Sequence, residues 1–241
     1  MVGLLMTRPQ MAARRFVEEL DPATRAKVTP IFAPLIEPRP VAHDLGDPFC
    51  GDVIFSSANA VAFAPRPADP SQRAYCVGAR TTSAAAQIGW TANCAGQDAD
   101  GLVANLIECR PDRPLVHLRG IHSRGFIAQR LRDAGVSCTE TVIYDQLALG
   151  YEADTERAMD AQDVMIVPLF SPRTAAQFVK LAPYRAELCL LALSDAVAEP
   201  LKRLNCKDLQ ICKAPTGEQM HILVRDAAAR LARVEGGPSA Q

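Results

Sequence analysis

Asp52-Val53-Ile54-Phe55-Ser56-Ser57-Ala58-Asn59-Ala60-Val61 and Asp163-Val164-Met165-Ile166-Val167-Pro168-Leu169-Phe170-Ser171-Pro172-Arg173-Thr174-Ala175-Ala176 are two copies of one local pattern. Each opens on Asp-Val, runs through an apolar segment and closes on Phe-Ser ahead of an Ala-rich, helix-forming stretch. A short apolar run bounded by turn chemistry fits a strand buried on both faces, and a serine ahead of helix formers fits an N-cap. The serines are therefore expected where a strand ends and a helix begins. In an open parallel sheet that edge binds ligands, because orphan N–H groups and the positive helix end point into the crevice there. Any doubly wound domain has such turns, with or without a ligand. Two copies in one chain point to two similar α/β domains.

Composition is compatible with this. A chain of 241 residues with 49% hydrophobic residues can build one large core or two small ones, and the repeat favours two. The net charge of −1 creates no global field that would draw the chain to nucleic acid or an anionic membrane, so an anionic ligand must be met by local grouping. The N-terminus, Met1-Val2-Gly3-Leu4-Leu5-Met6-Thr7-Arg8, lacks a basic region followed by a long apolar core, and the apolar segments are strand-sized. Neither a membrane span nor a signal peptide is indicated, and a cytoplasmic protein is expected. The eight cysteines are scattered with no C-x-x-C pair and read as buried small hydrophobes in a reducing compartment. His117 and His122 are not spaced as an i, i+4 pair on one helical face, so no metal is assigned.

Outward from the repeats, Gly3 to Thr7 reads as a strand, and Arg8-Pro9 opens a helix with an apolar stripe of Met11, Ala12, Phe16 and Leu20. Residues 31–40 carry Pro30, Pro34, Pro38 and Pro40 in or beside them, too many missing donors for a central strand, and are expected to be an extended linker. Helices are expected from Ser57 to Ala64, after Gly78-Ala79-Arg80-Thr81-Thr82, and from Asp98 to Glu108, with Gly78 allowing close backbone approach. Leu115 to Leu118 leads into Arg119-Gly120-Ile121-His122-Ser123-Arg124-Gly125, a loop able to hold an anion. No P-loop or G-x-G-x-x-G accompanies it, so nucleotide binding has little support. The long extended run from Val136 to Leu149 can be both a last strand and an exit from the domain. The second half then supplies strands at Leu188 to Leu193 and Leu209 to Cys212, helices at Ser171 to Leu181 and Asp195 to Leu204, and a last helix after Pro215-Thr216. The tail from Gly236 to Gln241 is expected to be disordered.

Thr7-Arg8-Pro9, the Phe55 to Val61 stretch, Val77-Gly78 with Thr81 and Thr82, the loop from Arg119 to Arg124, Val142-Ile143-Tyr144, Phe170-Ser171-Pro172 and Pro215-Thr216, in that order, resemble the uroporphyrinogen-III synthase family over nearly the whole chain. The resemblance implies two flavodoxin-like, doubly wound parallel-sheet domains joined by two extended strands, one domain inserted in the other. The expected division is 1–33 with 149–241, then 41–141, with 34–40 and 142–148 as a two-stranded linker. Two departures stand out: Ser194-Asp195-Ala196-Val197 replaces a Gly and a Thr pair, which leaves that turn out of the expected site, and Gln146 replaces a Thr.

The implied substrate is hydroxymethylbilane, with acetate and propionate side chains, cyclised without a cofactor through loss of the hydroxyl and inversion of ring D. Steering of the attack is then a positioning effect. Many carboxylates suit a cleft lined by helix N-termini and a few arginines. The expected binding residues are Thr7, Arg8, Ser56, Ser57, Asn59, Gly78, Arg80, Thr81, Thr82, Arg119, Gly120, Ser123, Arg124, Ser171, Pro172 and Arg173. Tyr144 matches the family's proposed acid, and a phenol with a pKa near 10 is protonated at neutral pH. A monomer in transient contact with the preceding enzyme, hydroxymethylbilane synthase, is the implied working form. A two-domain binding protein or sensor for a polyanionic small ligand remains the alternative, since two α/β lobes suit it equally.

Overall fold

A computed structural model describes residues 1–46, 49–123 and 125–235. Along the chain run β1 (Val2–Met6), α1 (Gln10–Glu18), α2 (Pro22–Arg25), β2 (Val28–Phe32), β3 (Ile36–Pro40), β4 (Asp52–Phe55), α3 (Ala58–Phe63), β5 (Arg73–Val77) and α4 (Gly78–Gln87). They are followed by β6 (Thr91–Gly96), α5 (Ala99–Cys109), β7 (Leu115–Gly120), α6 (Ile127–Asp133), β8 (Cys138–Ala148) and α7 (Ala153–Asp160). The chain then forms β9 (Val164–Leu169), α8 (Pro172–Lys180), β10 (Glu187–Ala192), α9 (Asp195–Leu201), β11 (Asp208–Ile211) and α10 (Gly217–Glu235). Two compact units result: Met1–Glu37 with Ala148–Gln241, and Pro38–Leu147. No helix among the described residues is long and apolar enough to cross a membrane.

The first unit holds a sheet in the order β11-β10-β9-β1-β2, built from parallel pairs. Renumbered within the unit, this is the 2-1-3-4-5 order of flavodoxin-like sheets. Alternate strand residues feed two cores, as a period of two requires. Leu5, Val167, Leu188 and Leu190 pack with Phe178 of α8 and Val197 and Leu201 of α9. Leu4, Ile166, Cys189 and Leu191 pack with Phe16 of α1 and Met220, Val224 and Ala228 of α10. The helices that follow the adjacent strands β1 and β9 thus leave to opposite faces, which makes the carboxyl end of this pair the topological switch point.

Several local expectations shift. Prolines are accommodated in strands: Pro30 lies in β2 and Pro38 and Pro40 in β3, each at a sheet edge, where a missing donor costs no ladder bond. Pro168 lies in the interior strand β9, which pairs with β10 along its whole length but with β1 only at Met165 and Ile166. The stripe of α1 is Ala13 and Phe16, with Leu20 beyond its end, while Met11 is 80% exposed. Phe16 and Leu20 are thus buried as expected, and the inward face takes in Ala13 where Met11 was expected. Of the cysteines expected to be buried, Cys76, Cys138, Cys189 and Cys212 are, Cys206 is half-buried, and Cys50, Cys94 and Cys109 are exposed.

The second unit has the order β3-β8-β7-β4-β5-β6, in which the pairs from β8 through β6 are parallel. Ile54, Tyr75 and Leu115 face Leu102 and Leu106 of α5 and Ile127 and Leu131 of α6. Val53, Phe55, Cys76 and Leu118 face Val61 of α3, Ala85 of α4 and Trp90. Here β4 and β7 are the neighbours whose helices, α3 and α6, leave to opposite faces. The switch point of this unit therefore lies beyond Phe55 and Gly120. Arg119 and Gly120, expected in a loop, are the last residues of β7.

Candidate functional site

A pocket of about 310 Å³ opens at this second switch point, lined by Ser56, Ser57, Ala60, Val77, Ala99, Arg119, Gly120, His122, Ser123, Tyr144 and Gln146. Its construction follows from the strand ends. Phe55 is fully buried and anchors β4, so Ser56 and Ser57 emerge at the sheet edge. Ser57 then caps α3 by accepting from the Asn59 N–H at 3.2 Å. Of the expected residues, Ser56, Ser57, Arg119, Gly120, Ser123 and Tyr144 come together here, and Asn59 follows in the first turn of α3. Arg124 lies outside the described residues.

Tyr144 is 5% exposed and stacks on Phe63 with ring centroids 5.6 Å apart. Burial pushes its phenol pKa above the usual value, opposed by a hydrogen bond with the Ser57 side chain. The phenol is therefore protonated at neutral pH and reaches the pocket beside a hydroxyl partner. Arg119 is held in place: its guanidinium donates to both Glu140 carboxylate oxygens at 3.0 and 3.1 Å and to the carbonyls of Gly120 and Ile121. This bidentate bond is what chiefly holds the Glu140 pKa below the usual carboxylate value. Arg119 thus brings to the pocket a charge that Glu140 already offsets.

At the neighbouring α4 turn, Gly78 adopts φ +74°, a left-handed backbone that favours glycine, and a Cβ there would meet nothing within 4 Å. Thr82 donates its hydroxyl to the Gly78 carbonyl at 3.0 Å, Thr81 is buried, and Arg80 is exposed in the same first turn. Only Val77 from this strand-to-helix junction lines the pocket.

In the first unit the expected residues gather at its own switch point. Thr7 follows β1 and is fully buried, with no hydrogen-bond partner for Oγ1 among the described residues. The Arg8 guanidinium lies 4.1 Å from the ring centroid of Phe170, which follows β9. Ser171 caps α8 by accepting from the Thr174 N–H at 3.1 Å, and its hydroxyl lies 2.8 Å from the Thr174 hydroxyl. Pro172 and Arg173 open the helix. Ser194 stands before α9 without a side-chain cap bond.

A family model described as "Uroporphyrinogen-III synthase HemD" matches residues 17–221. The chain belongs to the uroporphyrinogen-III synthase family. It is a synthase of the haem pathway and an enzyme of tetrapyrrole synthesis. The solved uroporphyrinogen-III synthetase of Helicobacter pylori is similar in fold, with a TM-score of 0.69 at 14% identity over 94% of this chain and 100% of that one. A mutant uroporphyrinogen III synthase from the extremely thermophilic bacterium Thermus thermophilus aligns at 12% identity over 96% of this chain and 100% of that one, with a TM-score of 0.46. No curated protein sequence matches this chain significantly.

In this synthase the pocket also recruits residues outside the expected binding set. Ala60, Val77, Ala99, His122 and Gln146 line it, from five separate segments. His122 Nε2 lies 3.7 Å from Asp145 Oδ1, which ties the β7–α6 loop to β8. His117, not spaced for a metal pair, has a different setting. It is 1% exposed on β7, and its Nε2 lies 2.9 Å from Ser56 Oγ. Burial lowers its pKa to about 4, so the ring is neutral. A buried polar residue inside the apolar run Leu115-Val116-His117-Leu118 was the available signal.

Proposed function

We propose that this synthase converts hydroxymethylbilane into uroporphyrinogen III with inversion of ring D, as a hydro-lyase, and that the switch-point pocket of the second unit receives the reacting end. The observation that carries the assignment of the pocket is Tyr144, a buried and protonated phenol that lines it together with Ser57. Its proton goes to the departing hydroxyl as the C–O bond breaks. The far pyrrole then attacks through its substituted carbon, and rearrangement inverts that ring. One water leaves overall, made of the hydroxyl and a proton given up by a pyrrole carbon, so the phenol is restored. Ser56 and Ser57 supply hydroxyl donors for carboxylate side chains, and Arg119 lines the pocket as a cation.

The finer setting rests on the family resemblance: a cytoplasmic monomer that takes its unstable substrate from hydroxymethylbilane synthase by transient contact. Thr7, Arg8, Ser171, Pro172 and Arg173 in the first unit, and Gly78, Arg80, Thr81 and Thr82 in the second, are proposed to hold further carboxylates. The test is to supply enzymically generated hydroxymethylbilane and separate the product isomers. Uroporphyrinogen III in excess is the expected result. Isomer I alone, as in spontaneous closure, would overturn the reading and leave a binding protein.

A further inference from the structure

His117, which the reaction scheme above does not use, is paired with Ser56. The imidazole is buried on β7, in register with Ile54 of β4, and its Nε2 touches the hydroxyl of Ser56, the pocket-lining residue that follows β4, at 2.9 Å. Its other nitrogen, Nδ1, is also buried and has no hydrogen-bond partner among the described residues. The charged neighbours are Glu140 on β8, which favours protonation, and Arg119, which opposes it, and burial outweighs both. The ring therefore carries one proton, and which nitrogen holds it decides what Ser56 can do.

Were the proton on Nδ1, a donor would be buried without an acceptor, and Ser56 would have to spend its own proton on Nε2. A buried orphan N–H is rarer in proteins than an under-used acceptor. With the proton on Nε2, the ring donates to Ser56 Oγ and only the Nδ1 lone pair goes unused. The serine proton is then free to point into the pocket.

We infer that His117 is a positioning residue, held as the Nε2–H tautomer, which donates to Ser56 Oγ and so turns the serine hydroxyl into a hydrogen-bond donor for a carboxylate of the substrate. The inference rests on the pocket assignment made above. It adds a specificity element: the site asks for an acceptor at this point, and an anionic side chain satisfies it better than a hydroxyl or amide. A single bond to a charged group of this kind affects apparent affinity by roughly ten- to a hundredfold.

Two measurements test it. The first needs no substrate: ring-nitrogen NMR of uniformly labelled protein, with His117→Gln used to assign the signal, reports the tautomer directly. A protonated Nε2 is expected, and a protonated Nδ1 overturns the inference whatever the enzyme does. The second is a double-mutant cycle on KM for hydroxymethylbilane with Ser56→Ala, His117→Leu and both changes together. If the histidine acts through the serine, each single change raises KM by about tenfold and the double change raises it no further. Multiplying effects would make His117 merely structural and overturn it. His117→Gln, which can still donate, should retain most of the affinity, and His117→Met, which cannot, replaces His117→Leu in the cycle if that variant does not fold. Wild-type enzyme producing only isomer I would instead sink the function proposal and leave the tautomer result standing.

Discussion

Gly120 and Tyr144 are packed without room for one additional carbon: a Cβ on the glycine would stand 2.6 Å from Cζ of the tyrosine ring and 2.9 and 3.0 Å from its Cε atoms. The two residues are paired across β7 and β8, beside an irregularity in the register between Arg119 and Gly120. The glycine therefore determines where the phenol sits. Gly120→Ala should push the ring off Phe63, lower stability by about 1–3 kcal/mol as overpacked sites do, and reduce turnover more than Tyr144→Phe does. Denaturant midpoints and initial rates of uroporphyrinogen III formation check both parts.

Tyr144→Phe keeps the packing and removes one proton donor. A full general acid contributes about 10²–10⁴-fold, but the hydroxyl here is already labile, so a loss at or below the lower end is expected, with the inverted isomer still dominant. Rate, isomer I fraction and melting temperature are to be recorded together. An unaltered rate would reduce Tyr144 to a packing residue.

Glu140 offsets the charge that Arg119 brings to the pocket. Glu140→Gln leaves the guanidinium bonded to the carbonyls of Gly120 and Ile121 but unopposed. A polyanionic substrate should then bind more tightly, with KM falling by roughly two- to fivefold, the scale of a partly exposed ion pair. Arg119→Ala should raise KM while leaving the isomer ratio alone. If Glu140→Gln leaves KM unchanged, Arg119 serves the strand and not the ligand.

The buried His117 makes stability pH-dependent in a definite direction. Its folded pKa of about 4 lies below the unfolded value near 6.5, so between those values the unfolded chain binds a proton that the folded chain refuses. Stability contributed by the neutral ring is complete above about pH 6.5 and declines as pH falls towards 4. The decline amounts to about 3 kcal/mol at most, at 1.4 kcal/mol per pH unit. Urea unfolding at pH 7 and pH 5 should show the loss in wild type and a smaller one in His117→Gln.

Much of this was legible along the chain because the signals are short-range. The apolar run of β4 and its capping Ser57, or that of β9 and its capping Ser171, are set by residues within a few positions of one another, so strand, turn and helix can be read where they occur. The fold class followed from their repetition. The local rule missed in α1, where Met11, expected in the core, faces out while Ala13 and Phe16 face in.

The order of strands, and with it the site, was decided at long range. Ser56 and His117 are 61 positions apart and meet only because β7 lies against β4, a pairing that no local pattern encodes. Arg119 looked like a free anion ligand in sequence, and only the placement of β8 alongside β7 brings Glu140 to its guanidinium. Gly120 looked like a loop glycine until the same pairing put the Tyr144 ring over it. By itself the sequence determined which residue types end each strand, since caps, apolar runs and turns are governed by near neighbours. Which of those ends converge, and whether a charge there is free or already balanced, was left to packing between strands far apart in the chain.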